Sequence, residues 1–352
     1  MQMRCYCVTH HGQPLELMHQ EIPEPHGTEV LLRVKAAGLC HSDLHIWEGF
    51  YDLGGGKKLA LADRGVKLPL TPSHEICGEV VSAGPGAGTV QTGMVAVVHP
   101  WIGCGACAAC LRGEEIICTK PQSLGIMRAG GFADYVIVPH PRYLVDLGGL
   151  DPVKAAPLAC AGVTTYSAIK KFGERIHDTP VVVIGAGGLG LMAIEVLKAL
   201  GGQGAIVVDI DAGKREAALK EGALAAIDAR ASDAAKQIAD AVGGGARAVL
   251  DLVGATSTVT LALDSCARGG HIVIVGLMGG DITLALPTIP MRPLRIEGNY
   301  VGSLAELREL VVLMRDGKIR PMPVSSRPLD EVNDAVLALR EGRVVGRQVL
   351  IP

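Results

Sequence analysis

Val181-Val182-Val183-Ile184-Gly185-Ala186-Gly187-Gly188-Leu189-Gly190 decides how the second half of this chain folds. Four consecutive β-branched residues read as a buried strand. The glycines at 185, 187 and 190 fit G-x-G-x-x-G, with Gly188 and Leu189 filling the gap. Such a loop lets backbone amides and a helix N-terminus face a pyrophosphate. A helix over 187–200 is predicted next, then a strand over 205–209 that ends in Asp209. That carboxylate can accept hydrogen bonds from both hydroxyls of an adenosine ribose and repels a 2′-phosphate. No arginine follows at once, since Ile210 and Asp211 come next. The pattern therefore predicts NAD rather than NADP. A plain α/β domain with a glycine-lined turn and a capping Asp is the competing reading, and the strand, loop, helix, strand order outweighs it.

The same texture continues downstream. Strands are predicted over 246–252 and 271–275, with helices over 213–222 and 257–267. Short apolar strands alternating with longer helices mark a parallel sheet covered on both faces, a doubly wound α/β fold. Residues 1 to about 150 read differently, as short apolar runs (30–37, 95–98) divided by Gly and Pro. Beyond about residue 296, helices over 304–315 and 330–341 and a strand over 348–351 suggest a return to the first domain.

Composition narrows the function classes. The 352 residues are long enough for two domains. With 49% hydrophobic and 3% aromatic residues, a glycine-rich α/β core is favoured over an aromatic-cored sandwich. A net charge of −3 and no basic run argue against nucleic acid as a partner. The most apolar stretch, 180–194, is broken by glycines and ended by Glu195, so no membrane span is expected. The opening residues carry no apolar signal core. Ten cysteines in so long a chain read as thiols kept reduced, predicting a cytoplasmic protein.

Four of those thiols, Cys104, Cys107, Cys110 and Cys118, follow C-x2-C-x2-C-x7-C on a loop with Gly103, Gly105 and Gly113. Two or three residues between cysteines converge their sulfurs on one point, and four thiolates suit a structural zinc with no position left for substrate. Thiolates also suit iron. An electron-transfer protein is thus the rival from another class, although it leaves the glycine loop unused. A second, more open ligand set lies in Cys40-His41-Ser42-Asp43-Leu44-His45 and Ser73-His74-Glu75. A catalytic zinc needs about three protein ligands and one free position. Chemistry alone leaves Cys40, His41, His45, His74, Glu75, Cys77 and Cys160 all eligible.

Together, G-L-C-H-S-D-x-H, the following H-E, the four-cysteine lobe and the glycine loop ending in Asp209 resemble the zinc-dependent medium-chain alcohol dehydrogenases, nearest their bacterial and archaeal tetrameric branch. The resemblance runs from Glu29-Val30-Leu31 to Gly346-Arg347-Gln348-Val349-Leu350. It implies a β-rich, chaperonin-like (GroES-like) catalytic domain over 1–152 and 297–352, and a Rossmann NAD domain over 153–296. It also implies two zinc ions per subunit. Cys40, His74 and Cys160 are the implied catalytic ligands, Glu75 a carboxylate near the metal, and Asp43 the group that orients His74. Ser42 and His45 are the implied proton relay, and Arg347 a contact to the cofactor pyrophosphate. The implied reaction is reversible oxidation of a small primary or secondary alcohol to an aldehyde or ketone. Polyol members usually carry Glu at the third ligand, so Cys160 argues for simple alcohols. A homotetramer or dimer formed through an edge strand at 295–301 is expected. Two positions depart from the family: Ser73 stands where Gly is usual, and His41 where some members have Arg. Trp47 and Trp101, close in sequence to the ligands, are read as pocket walls.

Overall fold

The computed structural model describes residues 1–352. Val181–Ile184 lies at the centre of a six-stranded sheet whose spatial order is Ala225–Asp228, Ala205–Asp209, Val181–Ile184, Ala246–Asp251, Cys266–Ile274, Arg295–Gly298. Every pairing in it is parallel. The order reverses between Val181–Ile184 and Ala246–Asp251, which opens a crevice at their C-terminal ends. Both faces of the sheet are buried, in strict alternation: Val181 and Val183 join one core, Val182 and Ile184 another. That is why these strands read as unbroken apolar runs rather than as alternating ones.

A second sheet of seven strands runs Val324–Pro328, Arg347–Ile351, Val30–Leu39, Glu75–Ala83, Val95–Val98, Leu144–Asp146, with Tyr135–Val138 also paired to Val30–Leu39. Its C-terminal strands insert beside the N-terminal ones. Leu39 faces Gln348 and Gly38 faces Glu75 across antiparallel pairs. This register brings the ends of three distant segments, at 40, 74–75 and 347, to one place.

The largest core cluster spans both sheets. It takes Ala36, Cys77 and Val97 from the second sheet and Val183, Val207 and Leu250 from the first. Between them sit the helices Ala161–Lys170 and Leu304–Arg315, joined at their surface by Tyr166 Oη donating to Glu309 at 2.9 Å. The two sheets are therefore welded through buried helices, not strung on a linker.

Most expected elements are present within a residue or two of their predicted ends. Many more are present than were expected, among them the strands Gln2–Cys7, Glu75–Ala83, Ala225–Asp228 and Val324–Pro328 and the helices His41–Glu48, Ala161–Lys170 and Ala234–Ala241. The strand expected over 271–275 begins earlier, at Cys266. The edge strand expected over 295–301 stops at Gly298, and Val301, three residues on, takes a φ of +50°. No helix is long and apolar enough to cross a membrane.

Candidate active site

Strand Val30–Leu39 ends at Cys40, which opens the helix His41–Glu48. Asp43, in the first turn, accepts from the Cys40 amide at 2.8 Å and so closes the helix start. Its other oxygen accepts from the Ser73 amide at 2.9 Å. One carboxylate thus binds the backbones of both segments that carry the candidate ligands Cys40 and His74. It also lies 3.7 Å from His74 Nδ1. Cys160 arrives from the other side, at the start of Ala161–Lys170.

The ligand atoms of Cys40, His74 and Cys160 fall within 4.8 Å of one another, and all three residues are buried. The two thiols are 3.9 Å apart. Neither ring nitrogen of His74 has a hydrogen-bond partner, an expensive arrangement for a buried imidazole unless something else takes the lone pair. Two thiols and an unpartnered imidazole converging on one point are the donor set of an open zinc site. The hydrogen bond from Cys160, helped by Arg347 and His74, drives Cys40 well below the ordinary thiol range, while that same bond and burial push Cys160 above it against Arg347. Burial alone would lower His74, but Asp43, Cys40 and Glu75 reverse that and raise it to about 9. A metal bound here must therefore displace protons.

Glu75 is fully buried, and burial raises its carboxyl to about 7 against the opposing pull of Arg347. Arg347 Nη2 donates to Glu75 Oε1 at 2.6 Å and lies 3.7 Å from Cys40 Sγ. The guanidinium that the resemblance assigned to a pyrophosphate is here 3% exposed and turned toward the ligand trio. Gly38 faces Glu75 where any Cβ would strike its carboxylate, so the pair depends on glycine at that position. Ser42 is half-buried in the first turn of the helix. His45, one turn on, packs its ring 4.6 Å from that of Tyr51, and burial lowers its pKa.

The other four thiols gather as their spacing predicts. Cys107 and Cys110 sulfurs are 3.4 Å apart, Cys107 and Cys118 3.9 Å, Cys104 and Cys110 4.0 Å. A tetrahedral zinc with ordinary Zn–S bonds separates its sulfurs by about 3.8 Å, so the lobe fits that ion. Glu115, inside the lobe, accepts from the Gly103 amide and from Tyr143 Oη, at 2.8 and 2.7 Å.

At the sheet crevice, Gly185 takes a φ of +102° and Gly187 precedes the helix Gly188–Ala199. A Cβ on Gly190 would strike the Gly185 carbonyl, which is the close strand-to-helix packing the motif requires. Asp209 accepts from the Ala186 and Asp211 amides at 2.7 and 2.8 Å and so bridges the loop to the second strand.

Trp101, read as a pocket wall, is buried in one cluster with Cys40, Cys160 and Val301. Trp47 is not. Its indole donates to Gln13 O at 2.6 Å and packs under Arg340, in the core of the second sheet. Sequence reasoning did not single out Tyr51, Tyr300 or Val301. Tyr51 lies in a short hairpin with no periodic signal, while Tyr300 and Val301 fall inside the predicted edge strand but past the observed one, Arg295–Gly298.

Residues 26–148 match the family described as alcohol dehydrogenase GroES-like domain, and residues 188–316 match that described as zinc-binding dehydrogenase. The chain is 39% identical to an NAD-dependent alcohol dehydrogenase of Sulfurisphaera tokodaii over 99% of its length and 100% of that protein. It belongs to the zinc-dependent medium-chain alcohol dehydrogenases. As a member it is an enzyme, an oxidoreductase of the zinc- and NAD-using alcohol dehydrogenase class, with a GroES-like domain and a Rossmann-type domain. Among solved structures, the alcohol dehydrogenase of Aeropyrum pernix superposes with a TM-score of 0.90 at 32% identity, covering 99% of this chain and 100% of that one. The D-arabinose dehydrogenase of Sulfolobus solfataricus superposes at 0.84 with 31% identity over the full length of both. Different substrates thus share this architecture.

Proposed function

We propose that this enzyme reversibly oxidises primary or secondary alcohols to aldehydes or ketones, passing hydride to NAD in the crevice between a catalytic domain (1–152 and 297–352) and a cofactor domain (153–296). The observation that carries this reading is the buried Cys40, His74, Cys160 trio: three ligands around one point leave one tetrahedral position for an alcohol oxygen. Zinc held there would supply Lewis acidity that lowers the alcohol's pKa toward neutrality. The protein's own groups do the rest. Asp43 fixes the backbone on both sides of the trio and orients His74. Ser42 takes the hydroxyl proton and hands it toward His45, which burial keeps neutral and ready to accept it. Glu75, held by Arg347, places a carboxylate within reach of the ligands. Gly185, Gly187, Gly188, Leu189 and Gly190 seat the pyrophosphate, and Asp209 selects NAD.

Cys104, Cys107, Cys110 and Cys118 hold a second, structural zinc. The exposed edge strand Arg295–Gly298, which carries exposed Ile296 and is flanked by exposed Met291 and Tyr300, favours assembly through that edge, as a dimer or tetramer. All ten cysteines are unpaired, in keeping with a cytoplasmic protein.

The test is NADH formation across a panel of alcohols, with metal content determined on the same sample. Turnover with about two zinc ions per subunit, lost in Cys40→Ser, is expected. No turnover with any alcohol, or iron in place of zinc, would overturn the reading.

A further inference from the structure

At the N-terminal ends of the parallel strands, away from the crevice, lies a cavity that the proposed reaction does not use. Its volume is about 460 Å³, and it is lined by Glu174, Arg175, Asp178, Arg247, Arg268 and Gly269. We infer that it binds a small phosphorylated polyol, a sugar phosphate in class, with the phosphate on the arginines and hydroxyls on the two carboxylates.

A break in strand pairing opens the cavity. Ala246–Asp251 and Cys266–Ile274 pair at Ala246 with Cys266 and next at Ala248 with His271. Arg247 alone therefore stands opposite Ala267, Arg268, Gly269 and Gly270, and the second strand bulges there. Glycine makes the bulge possible: Gly269 takes a φ of +73°, and a Cβ on Gly270 would strike the Cys266 sulfur and the Ala246 carbonyl. Glu174 and the single-turn helix Arg175–Asp178 supply the rest of the wall. Asp251, at the crevice end of its strand, is about 13 Å along the backbone from Arg247. A ligand here meets neither the alcohol nor the nicotinamide.

The charges in the wall are unspent. None of the five charged side chains comes within 4.0 Å of an opposite charge or makes a side-chain hydrogen bond. Elsewhere in the same domain such groups pair: Lys171 and Arg295 both close on Glu297 at 2.6 Å, and Arg320 holds both oxygens of Glu195. Three guanidinium groups and two carboxylates are thus held apart around one space.

Their chemistry selects the ligand. A guanidinium fork binds phosphate through two parallel N–H groups. Glu174 and Asp178 repel a bare polyanion but accept hydrogen bonds from hydroxyls. No lining residue is apolar, so a nucleotide base or an acyl chain would find no surface to cover. A phosphate at one end and hydroxyls along the rest is the combination that uses all five groups.

The zinc-loaded enzyme is saturated with NADH, which fills the glycine loop, and titrated calorimetrically at low ionic strength with glucose 6-phosphate, inorganic phosphate and glucose. Glucose 6-phosphate is expected to bind at least about tenfold more tightly than either control. Arg247→Gln and Arg268→Gln, both at exposed positions outside the active site, should each weaken it by about tenfold and leave alcohol turnover unchanged. Glu174→Gln combined with Asp178→Asn should tighten inorganic phosphate and narrow the gap between the two. Absence of glucose 6-phosphate binding, an affinity unmoved in both arginine variants, or inorganic phosphate binding as tightly as the sugar phosphate would overturn the inference. Binding in the catalytic crevice instead would leave the arginine variants unchanged and so counts against it.

Discussion

Ser73 shows how one atypical residue can hold its neighbour His74 in place. It is fully buried at φ +73°, a conformation that costs a residue with a Cβ about 1–2 kcal/mol. Three bonds hold it there: its amide to Asp43, its hydroxyl to Gly38 O at 2.9 Å, and its carbonyl accepting from Gly131. Ser73→Ala keeps the backbone cost and loses the hydroxyl anchor, leaving a buried carbonyl short of a donor. A loss of about 1–3 kcal/mol in unfolding free energy and faster zinc release to a chelator are expected. Ser73→Gly loses the same anchor but relieves the backbone, so it should lie between Ala and the natural protein. If Ala and Gly behave alike in urea titrations and chelator competition, the left-handed turn is not what matters here. At this scale the sequence was legible where residue type dictates chemistry, as with the four lobe cysteines. Cys40, His74 and Cys160 became readable only through resemblance, since Cys77 and His41 are chemically just as able to bind metal. The Glu75 and Arg347 pair was invisible, because it depends on strand register rather than on local pattern.

The four-cysteine lobe is an element with almost no core of its own. Leu111 and Ile117 are 75% and 60% exposed, and its only helices are single turns. What remains to hold it is the thiolate cluster and the Glu115 clamp to Tyr143 and Arg142. Withdrawing its metal should therefore open the lobe locally while the sheets stay folded. Trypsin is expected to cut after exposed Arg112 at least about tenfold faster in chelator-treated protein than in zinc-loaded protein, with far-UV circular dichroism nearly unchanged. Equal cleavage rates would mean that packing, not metal, orders the lobe. Elsewhere burial alone did not make an element readable, since the nearly all-buried helix Ala161–Lys170 and the strand Glu75–Ala83 were not predicted. Val181–Ile184 and Ala205–Asp209 announce themselves as apolar runs. Ala225–Asp228 has one buried residue of four and Val324–Pro328 none, so neither carries a hydrophobic signal, and only pairing with a neighbour makes each a strand.

Across the whole molecule, the alternation of strands and helices exposed the division into two sheets but not how they are joined. His99 is one of the joints. It lies just past Val95–Val98, is 2% exposed, and its Nε2 donates to Gly302 O at 3.1 Å, just ahead of the helix Leu304–Arg315. Burial depresses its pKa from 6.5 to about 4. The folded protein therefore holds His99 neutral where the unfolded chain would protonate it. Between pH 6.5 and about 4 the unfolded state binds the extra proton, so stability falls as pH falls through that window and is fully present above it. The full shift corresponds to on the order of 3 kcal/mol. His99→Gln keeps a donor for Gly302 O but cannot titrate. Urea midpoints of the two proteins should coincide near pH 7, after a small packing correction, and diverge as pH falls toward 4.5, with the natural protein losing more. Because the carboxylates titrate equally in both proteins, the difference between the curves isolates the imidazole. Curves that stay parallel from pH 7 to 4.5 would mean that His99 reaches water or a proton acceptor when charged, and that this joint between the sheets yields before it is forced to ionise.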